Sequence, residues 1–391
     1  KTNPFTVKIL NRINQANPVA ITPRYRSDKV DCIVGVVFHG VSSIIDNGNK
    51  KITAHKVVEV VTFSLTLFFF LFINLINILY FLLFHSINDI SAIQFLFARG
   101  VQFTIITTSV YYNFEYYRDN FINHLTLFII SIVFAGFIFN PDVISNRYNG
   151  LIWNANTLSV FVIMAFSFIL LKDKQKNKVD YVFLTICLLT AIATGSRGVI
   201  IGIVIAYLIK YSFSNRIFLY SLVAITLYFV LINFNLFTTA NRFSEQSVFN
   251  DRILQYRYAF ETFLQKPTFG YGLDKYAYMD MNLVPDYVID SSDGSIIAPH
   301  NGYIALIVQY GLIFGSFVIY LLFGKLIELV SYFKNSIDIN RTYLFILIYA
   351  ILGAVYETLI TGINDFHTFL FWFSIAFLSY SKYNSILEDE N

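Results

Sequence analysis

The sequence predicts an all-α, polytopic membrane protein with about ten transmembrane helices and one large extracytoplasmic loop that itself contains helices. Three observations support this fold class. Hydrophobic residues make up 56% of the chain and charged residues only 14%, against about 25% charged residues in soluble domains. The 42 Phe and 27 Tyr residues exceed what a soluble core requires. Apolar runs of roughly 20 residues, the length that crosses a bilayer, recur along the chain.

The apolar runs set the expected order of segments. They lie at 57–83, 91–112, 121–140, 151–171, 180–195, 198–213, 216–237, 302–324, 342–360 and 367–381. The stretch 32–45 is too short to span and is expected to be interfacial. The predicted organisation is a cytoplasmic or interfacial segment at 1–56, helices one to seven within 57–237, a large periplasmic loop at 238–300, helices eight to ten within 301–381 and a cytoplasmic tail at 382–391.

Basic residues set the expected orientation, because short loops with an excess of Lys and Arg stay in the cytoplasm. If ten helices alternate, the basic loops fall on one side, which places both termini in the cytoplasm. Lysines are most crowded in the loop 172–179. The opposite side then carries the long loop and the turns at 84–90, 141–150, 195–197 and 361–366.

Charge and cysteine content exclude several classes of partner. The formal net charge of +3 is too small to indicate a nucleic-acid partner. Cys32 and Cys187 form no zinc-binding pattern and no disulfide framework. No paired DxD carboxylate motif is present to hold a divalent metal, so neither a metal nor another cofactor is expected.

Polar residues inside the apolar runs are the first functional candidates, because ionisable groups at membrane depth are costly. Arg99 lies within the second predicted span, Glu357 near the outer end of the ninth, and Asn154 and Asn156 at the start of the fourth. Arg99 and Glu357 can equally pair with buried groups and only hold helices together.

The segment TGSRG forms an expected outer turn between two short apolar runs. Gly195 and Gly198 allow a sharp turn and a close approach to a ligand. Arg197 offers a rigid fork of donors suited to phosphate oxygens, with Ser196 beside it. The alternative is an interfacial arginine that extends to lipid headgroups.

The long loop contains the pattern of a helix that lies on the membrane surface. In NDRILQYRYAFETFLQKP, Arg257 can pair with Glu261 at i, i+4, and the glycines of FGYGL make the following turn. Arg252 stands near the helix start, where the macrodipole disfavours a cation and a bound anion would relieve it. The apolar positions at helical spacing are Ile253, Tyr256, Phe260, Phe263 and Leu264.

The loop re-enters the membrane at APHNGYIALIVQYGLIFG, where His300 and Asn301 stand at the boundary. A histidine there can accept a proton near neutral pH, or serve only as an interfacial anchor. Asp365 and His367, in another outer turn, give a weaker signal of the same kind.

Taken in order, these segments resemble the bacterial O-antigen ligase and polymerase superfamily of membrane glycosyltransferases. The resemblance covers roughly 147–330 and rests on RYNGLIWNANTLS, TGSRG, the loop with PTFGYG, and PHNGYIALIVQYGLIFG. It implies a GT-C-like membrane fold and location in the bacterial inner membrane, with the active site facing the periplasm.

The resemblance also implies a chemistry. Members take a glycan from undecaprenyl diphosphate, without a metal, and transfer it with inversion to an acceptor sugar. By match to the family motifs, Arg197 and Arg252 bind the diphosphate and His300 is the base, while Arg257 and Arg99 are further candidates for phosphate contact. The residues expected to support the site are Ser196, Asn301 and Asn156.

The acceptor stays open at this stage. A surface-polysaccharide polymerase extends another lipid-linked glycan, and an O-antigen ligase transfers the glycan to the lipid A core; the polymerase is slightly favoured. A chain-length regulator is a candidate partner besides the donor, the acceptor and the bilayer. A lipid-linked sugar transporter or flippase is the alternative from another class, and a structural membrane subunit a third.

Overall fold

The computed structural model describes residues 54–143, 147–152, 154–172, 175–196, 198–211, 250–274, 300–336, 338–363 and 365–389. The chain divides into two compact units. One comprises residues 73–378 and contains the whole candidate site. The other comprises residues 1–72 and 379–391, of which the described part is helical.

Ten main helices are described. They are α1 (Ala54–Phe84), α2 (Ile90–Tyr112), α3 (Ile122–Phe139), α4 (Ala155–Leu171), α5 (Lys178–Ala193), α6 (Gly198–Lys210), α7 (Asn250–Gln265), α8 (Gly302–Phe333), α9 (Asn340–Gly353) and α10 (Phe366–Asp389). A short helical turn and a π-helical segment, Tyr117–Phe121, lead into α3. All regular structure in the described ranges is helical, as the composition predicts.

Four helical stretches are long and apolar enough to cross a membrane: Val60–Phe84, Ile90–Tyr112, Phe114–Phe139 and Gly302–Phe333. Their outward faces are apolar, with Leu82 71%, Phe97 74% and Ile138 75% exposed. Such surfaces are typical of lipid-facing helices. The chain is therefore an integral membrane protein by length and composition, and the count of ten spans stays a prediction. The predicted seventh span, 216–237, lies outside the described residues.

The predicted ninth span, 342–360, is wrong at its outer end. Helix α9 stops at Gly353, and residues 354–362 form irregular turns. The reason is that Ala354 accepts a 2.7 Å hydrogen bond from the backbone N–H of Gly302, which draws the chain towards the start of α8. Glu357 therefore lies in this turn segment and not in a membrane helix.

Helix α4 forms the centre of the bundle. Of its 17 residues, 14 are buried, so it is covered on all sides, and it packs against α3, α5, α6 and α9. Helix α6 approaches α9 closely through two glycines on one face. A Cβ at Gly198 would lie 3.3 Å from the Tyr349 hydroxyl, and one at Gly202 would lie 3.1 Å from the Tyr349 ring. Small residues at this spacing allow close helix contact in membranes.

Helix α8 is broken at Gly311, whose φ of 69° and ψ of −179° are not helical. In an unbroken helix, Val308 and Gln309 would accept hydrogen bonds from Leu312 and Ile313. Backbone groups inside a membrane must find partners within the protein. The break therefore requires another part of the chain to supply two donors and two acceptors.

The turn at 267–272 supplies all four partners. The N–H groups of Tyr271 and Gly272 donate to the carbonyls of Val308 and Gln309 over 3.0 and 2.9 Å. The carbonyls of Pro267 and Thr268 accept from Leu312 and Ile313 over 2.7 and 3.4 Å. We call this turn the inserted turn. It fixes the end of α7 to the middle of α8.

Two glycines make the insertion possible. A Cβ at Gly270 would lie 2.4 Å from the Gly311 nitrogen, and a Cβ at Gly311 would lie 2.4 Å from the Thr268 carbonyl oxygen. Both glycines also have positive φ, 70° and 69°. The glycines of FGYGL make the turn that the sequence predicts, and its insertion into a membrane helix is an additional finding.

His85 holds the far end of the inserted turn. Its Nε2 accepts a 2.9 Å hydrogen bond from the backbone N–H of Leu273, and its Nδ1 lies 2.7 Å from Asp89 Oδ2. Asp89 also caps α2 by accepting from the Ala92 N–H. The hydrogen bond with His85 lowers the pKa of the Asp89 carboxyl, against the opposing effect of burial. Asp89 therefore stays ionised and orients His85.

Candidate functional site

His300 and Asn301 stand directly before α8, at the boundary that the sequence predicts. Asn301 is buried and caps the helix: its Oδ1 accepts from the N–H groups of Tyr303 and Ile304, each over 3.0 Å. Its Nδ2 donates to the Val355 carbonyl over 2.8 Å. Asn301 thus ties the start of α8 to the turns after α9 and fixes the backbone that carries His300.

The His300 imidazole pairs with Glu357. Nδ1 of His300 lies 3.1 Å from Oε2 of Glu357, and the two side chains are 39% and 19% exposed. A carboxylate accepts, so Nδ1 carries the proton that it donates, and Nε2 then keeps its lone pair. The pair is accessible from outside and oriented for proton acceptance at Nε2.

The other oxygen of Glu357 contacts Asn156. Nδ2 of Asn156 donates to Glu357 Oε1 over 3.4 Å, and Oδ1 of Asn156 accepts from Nη2 of Arg147. Asn156 lies in the first turn of α4, where Asn154 caps its backbone N–H over 2.8 Å. Each carboxylate oxygen of Glu357 therefore has its own partner, one on α4 and one before α8.

Arg147 continues the contacts to the TGSRG segment. Its Nε donates to the Thr194 carbonyl over 3.0 Å, and its Cγ lies 3.8 Å from where a Cβ of Gly195 would stand. Gly195 has a φ of 60°, which makes the sharp turn that the sequence predicts. Ser196 follows, and its backbone N–H donates to Thr194 Oγ1 over 3.3 Å. Arg197 lies outside the described residues.

The predicted loop helix is confirmed as α7, which ends at Gln265. Two members of its apolar stripe, Phe260 and Leu264, are 54% and 55% exposed. The Tyr256 hydroxyl shares its proton between the carbonyls of His300 and Val355, each at 3.0 Å. Helix α7 is thereby tied to the His300–Glu357 pair.

The structure describes the side chain of only one of the two arginines of α7. The Arg252 side chain lies outside the described part, although its backbone belongs to α7. Arg257 forms the i, i+4 pair with Glu261 that the sequence predicts, over 2.8 Å, and its side chain is 71% exposed. Arg257 thus presents a charge to the exterior of the protein.

Arg99 lies in a separate cluster. Its guanidinium donates to the carbonyls of Thr361 and Gly362 over 2.6 and 3.2 Å and to Gln102 Oε1 over 2.8 Å. The rings of Phe95, Phe103 and Trp372 lie 5.5 to 5.8 Å from the guanidinium carbon. These contacts favour the interpretation that Arg99 holds α2 to the turn segment after Glu357.

The geometry adds residues to the site that the sequence does not assign to it. In the sequence, Glu357 is a functional candidate that can equally pair helices, and Arg147 only stands in the RYNG motif. The signal for Glu357 was present, since an ionisable residue in an apolar region is a functional candidate. Tyr256 looked like one more apolar position of α7. No sequence spacing indicates that residues 147, 156, 300 and 357 meet.

Comparison with protein families decides the relationship. Residues 182–321 match the model of the O-antigen ligase family. Residues 182–321, just over a third of the chain, are thus similar to this family. The resemblance of the motifs to the O-antigen ligase and polymerase superfamily is confirmed, and the family indicates a membrane glycosyltransferase of O-antigen and lipopolysaccharide synthesis. Among curated proteins, no sequence matches the chain.

The segment that matches the O-antigen ligase family contains only part of the candidate site. It includes the TGSRG segment, α7, the inserted turn and His300. Arg147, Asn156 and Glu357 lie before or after it along the chain, and they reach the family segment through the contacts described above. The site is thus completed by parts of the bundle outside the matched segment.

Proposed function

We propose that this protein is an inverting, metal-independent glycosyltransferase that moves a glycan from undecaprenyl diphosphate to an acceptor sugar at the periplasmic face of the inner membrane. The observation that supports this proposal most is the pairing of His300 with Glu357. It gives the protein an oriented proton acceptor at the end of a membrane helix, inside the segment that matches the O-antigen ligase family.

In the proposed reaction, an acceptor hydroxyl attacks the anomeric carbon of the donor sugar from the face opposite the diphosphate. The new carbon–oxygen bond forms as the bond to the diphosphate breaks, and the diphosphate leaves with the electron pair. Nε2 of His300 takes the hydroxyl proton. General base catalysis of this kind contributes about 10²–10⁴ in rate.

The departing diphosphate needs positive charge, which we assign to Arg197 and Arg252. Arg197 follows Ser196, in the segment that Arg147 contacts. Arg252 precedes Tyr256 by four residues on α7, and positions at that spacing share one face of a helix. Tyr256 itself contacts the His300 carbonyl. Fixed cations near a developing charge contribute about 10²–10³ in rate each.

The remaining site candidates take supporting roles. Asn301 and Ser196 shape the backbone beside the base and beside Arg197. Arg257 is exposed on α7, where it can meet the outer phosphate or the glycan. Arg99 keeps its place as a candidate for the lipid end of the donor, with the positioning role as the alternative that its contacts favour.

We favour a polymerase of O-antigen or another surface polysaccharide over a ligase that acts on the lipid A core. The donor half of the reaction is the same in both, so the described site serves either. The acceptor separates them, and the test must vary the acceptor.

The test is reconstitution of the purified full chain with undecaprenyl-diphosphate-linked repeat units extracted from a strain that lacks the protein. Longer lipid-linked chains from the donor alone identify a polymerase, and product that forms only with added lipid A core identifies a ligase. Arg197→Ala, Arg252→Ala and His300→Ala are each expected to abolish release of undecaprenyl diphosphate while the protein stays folded. Transport of the donor without that release would instead identify a flippase.

A further inference from the structure

A continuous series of side-chain contacts joins the TGSRG segment to the proposed base. From Thr194 the series runs through Arg147, Asn156 and Glu357 to His300, with the distances given above. Its three middle members lie in the segment before α4, in the first turn of α4 and in the turns after α9. His300 at one end is the proposed base, and Thr194 at the other end belongs to the turn that precedes Arg197.

The first member, Arg147, is fixed on the turn it contacts. Its backbone neighbour Tyr148 donates to the Ala193 carbonyl over 3.1 Å, so the chain runs along the end of α5. The guanidinium then bonds in two directions, to the Thr194 carbonyl and to Asn156. A planar fork of donors allows this, whereas the point charge of a lysine does not match both directions.

The second member, Asn156, has only one amide orientation that suits both neighbours. Its oxygen must face the Arg147 donor and its nitrogen the Glu357 acceptor. The positive charge of Arg147 polarises the amide, which strengthens the hydrogen bond to Glu357. Asn156 thus holds Oε1 of Glu357 and leaves Oε2 directed at His300.

We propose that Arg147 and Asn156 are positioning residues that set the spacing and orientation between the diphosphate-binding turn and the His300–Glu357 base. This inference rests on the proposed function, because it assigns a positioning role to residues that act through His300 and through the turn that precedes Arg197. A shift of either end changes the distance between the leaving group and the proton acceptor, so the rate of the chemical step falls while donor affinity is retained.

The first test compares two variants of Arg147 in the full chain. Arg147→Gln removes the charge, so kcat falls about 10–100-fold, the loss typical of outer-shell partners. The KM for the donor stays near its natural value, because Arg147 does not contact the donor in this proposal. Arg147→Lys keeps the charge but not the planar fork of donors, so it is expected to recover only part of kcat.

The second test is a double-mutant cycle between Asn156 and Glu357. Asn156→Ala is expected to lower kcat about 10-fold or more in the natural protein. If Asn156 acts through Glu357, the same change costs little further activity in a Glu357→Gln background. A residue that only stabilises the fold would lower activity equally in both backgrounds.

Matched controls are Arg118→Gln and Asn123→Ala. Arg118 pairs with Glu115 and Asp119 at an exposed position, and Asn123 is exposed near the start of α3. Both are expected to keep kcat and the donor KM. Thermal unfolding in detergent identifies any Arg147 or Asn156 variant that lowers activity through loss of fold. If Arg147→Gln is such a variant, Arg147→Lys is compared with the natural protein in its place.

The outcomes separate this inference from the proposed function. Additive losses in the cycle, or an Arg147→Gln variant with a raised donor KM and an unchanged kcat, would overturn the positioning role. The second result would make Arg147 a direct donor ligand. Full activity of His300→Ala would instead overturn the proposed function, whatever the Arg147 variants do.

Discussion

A histidine becomes a directed base when one ring nitrogen is held by an acceptor and the other remains accessible. His300 meets this condition through Glu357, whose carboxylate lies 3.1 Å from Nδ1. Glu357 is held in turn by Asn156. The orientation of the His300 ring therefore depends on a residue that lies 144 positions earlier in the chain (300 minus 156). The orientation of this one side chain therefore reports on how three segments pack.

Glu357→Gln gives the most direct prediction for a single residue. The amide removes the negative charge and no longer selects the Nδ1–H tautomer, so kcat is expected to fall about 10³–10⁴-fold, as in other acid–histidine pairs. The rate of undecaprenyl diphosphate release, compared with that of the natural protein, checks this loss.

Glu357→Asp serves as its control. The shorter side chain keeps the charge, so kcat should fall by less than in Glu357→Gln. Equal activity of the natural protein and Glu357→Gln would contradict a role for the carboxylate.

Single residues were predictable where they stand in short motifs. His300 and Asn301 follow the long loop directly, and the i, i+4 pairing of Arg257 with Glu261 is local. The partnership of His300 with Glu357 joins residues 57 positions apart (357 against 300), and it exists only because α9 stops early. No local pattern contains that information.

Among the helices, α8 and the inserted turn depend on each other. The break in α8 leaves four backbone groups that the inserted turn satisfies, and the inserted turn has its shape because two glycines let the backbones meet. The sequence indicates both glycine-rich segments and the helix before them. It does not indicate their contact, because main-chain hydrogen bonds leave no residue-specific signal.

Gly311→Ala tests this dependence. The methyl group would stand 2.4 Å from the Thr268 carbonyl oxygen, at a positive φ that alanine disfavours. The expected cost is about 1–3 kcal/mol for the backbone strain, with the steric conflict in addition. Thermal unfolding of the detergent-solubilised protein should show a clearly lowered midpoint.

The same helix offers a matched control. Gly324 lies in α8 with nothing within 4 Å of an added methyl group. Gly324→Ala should leave the midpoint unchanged or raise it, because alanine is favoured over glycine in a helix by about 1 kcal/mol. Equal midpoints for the two variants would show that the inserted turn does not stabilise α8.

For the molecule as a whole, composition was sufficient to predict a helical membrane protein, and the four long apolar helices agree. Short apolar helices such as α4 are harder to assign from the sequence. Its 17 residues are apolar all round, which fits a transmembrane span and a bundle core equally well. The burial of α4 among four neighbouring helices shows that it forms the core of the bundle, which a hydropathy value does not report.

Independence from divalent metal is the prediction that concerns the complete enzyme. Because arginines supply the charge in the proposed reaction, treatment with EDTA should leave the rate of undecaprenyl diphosphate release unchanged. The measurement compares EDTA with added Mg²⁺ or Mn²⁺ in the reconstituted system. A rate lost in EDTA and restored by either metal would contradict the assignment of that charge to Arg197 and Arg252.

The inserted turn also affects how freely the sequence can change. Its junction with α8 is made by main-chain groups, with Tyr80 as a side-chain donor to Gln309 over 3.0 Å. Such a junction requires glycine at positions 270 and 311 but places few requirements on which residue types occupy most neighbouring positions. Phe260 and Leu264 on α7 are exposed, so their exchange for other apolar residues costs little in stability. The outer surface of this protein can therefore be remodelled for a different sugar while the backbone that anchors the base stays the same.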